Sequence, residues 1–560
     1  MQSSPLPDDP LDAVRATPRP AQTRRPWSER IRVTSHVVWD HVVKHTGVGV
    51  VCAVAYFDPG NWGVDLQAGS EFGYKLLFVV LLAGIFAVLL QCLASKLGIV
   101  TGLDLASHCR LLLYNRPKHT RLYRWVALYP LYALSEVAII ATDLAELLGS
   151  AIALNLLFPK LPLWAGVLLT ALDVLLILAL DDPLGGRPVK MFELLIAGLV
   201  ISVLVCMCII ISQVHVDWGD AFHGYLPSKA IFQDGGLYVS VGIIGATVMP
   251  HSLFLGSALA TQDRVSSSPM KPLAPALESS DHISITTVPH QSGIRGHIAR
   301  CFESFMHQFR ALDGAGEFEP RNHSERENNP LSFVRAHLNH SIADVVISLL
   351  GLAVVINSLI LILASAVFYY GEAGGPRDIA SLFDAHAILR DLVGQGAAIT
   401  FALALLFSGQ SASIVATIAG QVVSQGFLRW RVSPFLRRFI TRVLGLIPSM
   451  IVAASVGRSG IDAMLVASQV ALSIVLPFIV FPLVYLTSSR DVMRVRKPTA
   501  EEIAVKDNEQ AGGIDVEGKG DDFVDFSNGW IVTGFGFAIW LVVVVANGYV
   551  IISLILGKGS

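Results

Sequence analysis

Along the chain, long apolar stretches alternate with short polar ones, and eleven of them are long enough to cross a bilayer as helices. They run over about 47–69, 76–97, 125–155, 162–180, 190–213, 236–261, 341–368, 394–424, 437–456, 461–487 and 529–556. The pattern predicts an all-α integral membrane protein. An amino-terminal arm at 1–45 precedes a six-helix block at 46–262. A polar insert at 263–340 leads to four helices at 341–488, a second insert at 489–528 and a final helix at 529–560.

Two of the apolar stretches are broken from within. The first carries Asp58-Pro59-Gly60-Asn61 and the sixth carries "GATVMPH" at 245–251. A proline removes a backbone donor, and unwound backbone at membrane depth survives only where it lines a cavity or is buried in protein. Matching interruptions five helices apart point to an inverted repeat of helices 1–5 and 6–10, with a binding site near the bilayer midplane.

Composition agrees with the membrane assignment. The chain of 560 residues is 53% hydrophobic and only 15% charged, with a mean hydropathy of +0.58. Globular domains run near a quarter charged. The net charge of −3 conceals an asymmetry. Arg24, Arg25, Arg30 and Arg32 precede the first helix, and Arg110, Arg116, Lys118, Arg121 and Arg124 fill the link between the second and third. Arg490, Arg494, Arg496 and Lys497 follow the tenth. Alternate links hold few cations, which predicts a cytosolic amino terminus and both inserts in the cytosol.

Residues 1–34 have no apolar core, so no signal peptide is expected. The inserts are rich in Ser, Pro, His and charged residues, and are expected to be largely disordered platforms for regulatory proteins. On this topology the sequon Asn322-His323-Ser324 never enters a lumen and stays unglycosylated. The six cysteines form no metal or redox framework; Cys206 and Cys208 read as small residues of an apolar helix. No nucleotide-binding loop or nucleophile arrangement is present, so neither an enzyme nor a nucleic-acid partner is expected.

The breaks carry the chemistry. Unwinding frees hard carbonyl oxygens, Asp58 adds a carboxylate, Asn61 an amide oxygen and Met249 a thioether. Carboxylate and carbonyls alone would suit Ca²⁺ or Mg²⁺; the sulfur biases the set toward Mn²⁺, Fe²⁺ or Cd²⁺. His251 follows Pro250 and titrates near physiological pH, which suits a proton-handling role. In the third helix Glu136, Asp143 and Glu146 lie at i, i+7 and i+10, on one face. Three acids on one face of a spanning helix mark a wet or proton-conducting surface. Gln469 in the tenth helix can complete an oxygen shell, and helix–helix hydrogen bonding accounts for it equally well.

Together these residues resemble the Nramp family of proton-coupled divalent-metal transporters, in a fungal-like form. The resemblance rests on Asp58-Pro59-Gly60-Asn61, "QCLASKLGIVTGLDLA" (91–106), "ATDLAE" (141–146), "GATVMPH" (245–251), "GQSAS" (409–413) and "SQVALSIVLPF" (468–478). It implies a LeuT-like fold, with metal held by Asp58, Asn61, Met249 and the carbonyls of Ala55 and Ala246, and with Gln469 approaching in some conformations. It also implies that His251, Asp143, Glu146 and Gln91 belong to a proton pathway, and that Arg437, Arg438 or Arg442 pairs with the third-helix acids. Two departures stand out: Ser252 where many members have Asn, and an unusually long link between helices six and seven. Met249 argues against the Mg²⁺- or Al³⁺-handling relatives.

The expected function is import of Mn²⁺ or Fe²⁺ into the cytosol by alternating access, driven by protons. The metal is substrate and no cofactor is expected. The plasma membrane and an endosomal or vacuolar membrane both fit. The rivals are a membrane metal sensor that no longer transports, and an amino-acid or polyamine carrier of the same fold.

Overall fold

Proline decides where the first apolar stretch breaks. In the computed structural model, which describes residues 47–180, 184, 190–233, 235–265, 322–371, 381–429, 433–455, 458–498 and 522–556, helix α1 (Val48–Val54) ends just before Asp58 and α2 (Pro59–Phe72) begins just after it. Asp58 is the N-cap of α2, its carboxylate accepting from the Asn61 amide at 2.8 Å. Pro59 takes the first helical position, where its missing N–H costs nothing. The sixth stretch repeats the device: α8 (Gly236–Thr247) stops, Met249 is the N-cap, and Pro250 opens α9 (Pro250–Leu259).

The remaining elements follow in order. After α2 come α3 (Leu77–Thr101), the short α4 (Leu105–Leu113) and a long helix α5 (Thr120–Leu157). Next are α6 (Leu163–Leu180) and α7 (Lys190–Ile211), then the α8–α9 pair. Beyond the first insert lie α10 (Leu331–Tyr369), α11 (Leu382–Leu392), α12 (Gln395–Leu428), α13 (Pro434–Ser455) and α14 (Arg458–Ser488). A two-stranded hairpin of β1 (Arg494–Arg496) and β2 (Phe523–Asp525) precedes α15 (Trp530–Ile555). Each of the eleven apolar stretches thus forms helix where expected. Among the described residues nine helical stretches are long and apolar enough to cross a membrane, because Pro59–Thr101 joins α2 to α3 and α6 falls outside the count.

Burial sorts these helices. The apolar window of the α8–α9 stretch is wholly buried, whereas only 28% of that of α15 and 33% of that of α7 are covered. The broken pair therefore forms the centre, and α7 and α15 face lipid. Small residues let the centre close. A Cβ on Gly149 of α5 would lie 2.0 Å from the Cβ of Pro59, and one on Gly409 of α12 would lie 3.3 Å from the Cγ of Pro59. The first break is thus clamped between α5 and α12.

The inserts differ from expectation at their edges. Residues 1–46, 266–321 and 499–521 lie outside the described residues. Residues 322–340, expected within a disordered insert, are ordered: α10 starts at Leu331, a good two turns early, preceded by a strap at 322–330. Arg326 donates to the carbonyls of Thr101 and Gly102 at 3.0 and 2.9 Å, and the Asn329 side chain donates to Ile99 O at 2.8 Å. These groups satisfy carbonyls that the end of α3 leaves unpaired. Asn328 donates to the carbonyls of Val492 and Arg494 at 2.7 and 2.8 Å, tying the strap to the root of the β hairpin. The second insert is correspondingly ordered at 490–498 and 522–528. His323, inside the sequon, lies 2.9 Å (Nε2 to Nδ1) from His108 of α4.

Candidate metal site and polar pathway

Each proline frees one particular carbonyl. In a continuous helix the amide of residue i+4 would bond the carbonyl of residue i; Pro59 and Pro250 have no amide, so Ala55 and Ala246 lose that donor. These are the two carbonyls expected as ligands. Ala246 O accepts from the Asn61 side-chain amide at 2.9 Å, and the same nitrogen donates to Asp58 Oδ1 at 2.7 Å. Carboxylate and carbonyl, drawn from two broken helices, therefore converge on one point now held by an N–H₂ group. Asp58 Oδ2 is buried without a hydrogen-bond partner. Met249 is fully buried at the second break.

Gln469 also reaches this place. A Cβ on Gly60 would lie 1.7 Å from Gln469 Nε2, so the glycine beside Asp58 is what admits the α14 side chain. Gln469 Oε1 is buried and unpartnered. Among the described residues no three His, Cys, Asp or Glu side chains gather as a metal set. Among the described residues the groups seen to converge here are the Asp58 carboxylate and neutral donors.

Sequence reasoning missed Asn357 of α10, whose amide donates to Tyr56 O at 2.6 Å and to Asn61 Oδ1 at 3.3 Å, orienting Asn61. An asparagine in the apolar run "VVINSLILIL" is costly enough to have been the signal. Asp65, buried about two turns beyond Asp58 within α2 and with Oδ2 unpartnered, was missed as well.

Below the breaks, Tyr56 Oη donates to Gln91 Oε1 at 3.1 Å, and Gln91 Nε2 approaches Cys52 Sγ at 3.3 Å. Ser252 Oγ lies 2.8 Å from Met249 O and 2.9 Å from Tyr56 Oη. Expected pathway residue Gln91 is thus linked to the metal-site backbone through Ser252. The start of α1 is held by Asp344, which accepts from the amides of Gly47 and Gly49 at 3.2 and 2.7 Å. Beside it Arg264 pairs with Glu193 at 2.6 Å.

His251 Nδ1 lies 3.3 Å from Thr142 Oγ1 on α5, another residue missed from sequence. The Thr142 hydroxyl donates to Ala138 O at 3.0 Å, so it can accept from Nδ1–H, which leaves Nε2 as the unprotonated nitrogen. That nitrogen is buried without a partner. Asp143 and Glu146 are buried on the same helix, with both Glu146 oxygens unpartnered. Glu136 sits lower, half-buried beside Tyr132.

Of the three candidate arginines, Arg442 meets Asp143, at 2.9 Å with both side chains wholly buried. Its other terminal nitrogen donates to Ser413 Oγ. Arg437 and Arg438 instead donate to Gln425 and Gln421 of α12, at 2.8 and 2.7 Å.

The sequence profile described as "Natural resistance-associated macrophage protein-like", Nramp, matches residues 49–294 and 305–502. The chain belongs to the Nramp family. It is 40% identical over 516 residues to the manganese transporter pdt1 of Schizosaccharomyces pombe, covering 92% of this chain and 86% of that one. It is 37% identical to the iron transporter SMF3 of Saccharomyces cerevisiae, covering 92% and 96%. A crystal structure of the Eremococcus coleocola manganese transporter superposes with a TM-score of 0.64 at 30% identity, covering 91% of this chain and 87% of that one. The all-α, LeuT-like fold with helices 1 and 6 unwound holds for this chain, as does its place as a multi-pass membrane protein among fungal-like Nramp members.

Proposed function

We propose that this Nramp protein imports divalent transition metals, Mn²⁺ or Fe²⁺, into the cytosol by proton-coupled alternating access. The observation that carries the reading is the convergence of Asp58 Oδ1 and Ala246 O on one buried point, with Met249 at the second break. Turning the Asn61 amide about its bond presents its oxygen to the same point, completing a set of hard oxygens with one soft sulfur. Asp58 binds metal only when deprotonated, so proton and metal compete at one carboxylate. His251, Asp143 and Glu146, with Gln91 and Glu136 further along, offer the released proton a buried polar route. Arg442 fixes Asp143, while Gln469 closes over the site from α14. The amino terminus and both inserts lie in the cytosol, where regulatory proteins reach them, in a plasma or an endosomal or vacuolar membrane.

The test is Mn²⁺ uptake into proteoliposomes under an imposed pH gradient, competed by Fe²⁺, Cd²⁺, Ca²⁺ and Mg²⁺. Uptake should be saturable, stimulated by inward proton movement, and abolished by Asp58→Ala together with metal binding. Normal Mn²⁺ transport by that variant would sink the proposal. Metal binding without flux would make the protein a sensor, and uptake of an organic cation instead would make it a carrier of another class.

A further inference from the structure

Two prolines, Pro477 and Pro482, stand inside α14, and the helix runs on through both. A proline has no amide to give, so the carbonyl four residues earlier loses its donor. For Pro477 that carbonyl belongs to Ser473. At membrane depth an unpaired carbonyl is expensive, and a neighbouring helix has to supply what the proline withholds.

The donor comes from α15. The side-chain amide of Asn547 donates to Ser473 O at 2.8 Å and to Val543 O of its own helix at 2.9 Å. Asn547 is buried, although only 28% of the apolar window of α15 is covered. It interrupts the run "WLVVVVANGYV" (540–550), where an asparagine without a partner would be costly. Two turns nearer the start of α15, Trp540 Nε1 donates to Pro477 O at 3.0 Å. α15 therefore grips α14 at Pro477 itself and at the carbonyl that Pro477 frees. Apolar side chains flank the bond. Val241 of α8, Val470 of α14 and Val550 of α15 form a small buried cluster, with Ile474 and Ala546, the chain neighbours of Ser473 and Asn547, packed against it.

The held carbonyl lies one turn from a side chain of the metal site. Ser473 follows Gln469 by four residues, on the same face of α14. A Cβ on Gly245 would lie 2.7 Å from Ser473 Cβ and would also meet Gln469 O. This turn of α14 thus rests directly on the second break, beside Ala246, while Gln469 Nε2 reaches Gly60 at the first. Helices with an interior proline bend at it, so a shift of α14 at Pro477 moves Gln469 relative to Asp58 and Ala246.

We propose that Asn547 is a positioning residue for metal binding. By holding the carbonyl that Pro477 frees, it fixes the turn of α14 that carries Gln469. The proposal deepens the transport reading given above and rests on it.

The experiment is a double-variant cycle on the full-length protein in proteoliposomes, read as the KM and maximal rate of Mn²⁺ uptake. Asn547→Leu keeps the volume and removes the donor; it should raise KM about tenfold and change the maximal rate by about twofold or less. Pro477→Ala restores an amide for Ser473 O to accept, which makes Asn547 dispensable. Whatever Pro477→Ala does alone, adding Asn547→Leu to it should change KM by about twofold or less. Equal increases of KM in both backgrounds overturn the proposal, as does an unchanged KM in Asn547→Leu. If Asn547→Leu does not fold, the double variant should, and its failure to fold also overturns the proposal. Hydrogen exchange over 466–477 in purified protein gives a readout independent of transport. Asn547→Leu should raise it in the parent background and not in the Pro477→Ala background. A parent that takes up no Mn²⁺ sinks the transport reading, whereas an exchange pattern alike in both backgrounds sinks the role of Asn547.

Discussion

Replacing Arg442 by Met keeps an unbranched apolar stem and removes the guanidinium. The parent pair is 2.9 Å apart and both side chains are fully buried. At an effective dielectric constant of about 20, two charges at that separation attract by roughly 6 kcal/mol, most of which offsets the cost of burying them. Removing one partner leaves the other buried and uncompensated, which costs about 3–5 kcal/mol. Asp143 has no spare support, because its Oδ2 already lacks a partner. Asp143→Asn in the same chain removes the stranded charge, so the double variant should recover about 2–3 kcal/mol of the loss. The assay is the thermal midpoint of purified protein at one fixed scan rate for the four members of the cycle, read as differences because unfolding of such proteins is irreversible. Arg442→Met should be the least stable member. If the double variant melts no later than Arg442→Met, the pair does not hold α13 to α5 and the argument fails.

Two other predictions concern the sulfur and the strap. Met249→Ala should leave Mn²⁺ binding measurable while weakening discrimination against Ca²⁺ and Mg²⁺ in competition uptake; unchanged selectivity removes the sulfur argument. At the strap, burial, then Arg326 and Arg116, holds His323 down at about 4, and burial with His323 and Arg326 holds His108 well below the usual imidazole range. Asp104, on the cap of α4, acts on this group through Arg326. Both imidazoles take up protons more readily when the strap is released, so its docking is strongest above about pH 6.5 and weakens as pH falls toward 4. At pH 5.5 His323 alone should contribute about 1.4 kcal/mol of loosening, roughly tenfold in local opening. Hydrogen exchange over 322–330, corrected for intrinsic rate, reads this directly, and equal or greater protection at pH 5.5 than at 7.5 refutes it.

What was legible in the sequence follows from which interactions are local. The breaks announce themselves because a proline and an acid inside an apolar stretch have no comfortable alternative, and the two freed carbonyls lie four residues ahead of Pro59 and Pro250. Which two carbonyls they are comes from the family resemblance, and the spacing to each proline supplies the physical reason. The choice of arginine was not legible. Arg438 and Arg442 share one helical face and Arg437 adjoins it, so the choice rests on what α12 offers across the gap. Gln421 and Gln425, themselves one turn apart, take Arg438 and Arg437, and leave Arg442 for Asp143.

The strap makes the converse point. Its composition is that of a segment unable to bury apolar surface, which is why 263–340 read as disordered. Yet the carbonyls at the end of α3 need donors that the helix cannot supply, and Arg326 and Asn329 supply them. Polarity predicts disorder only where no orphaned backbone stands nearby to be satisfied. The end of α3, closing at Gly102 in a left-handed turn, puts such carbonyls beside the residues that precede α10. The order of the strap is a property of the helix it meets, and a test follows from that dependence. Arg326→Ala should raise exchange at 322–330 while leaving the metal-site segment 55–61 protected, whereas loss of protection at both would show that the strap and the site unfold as one unit.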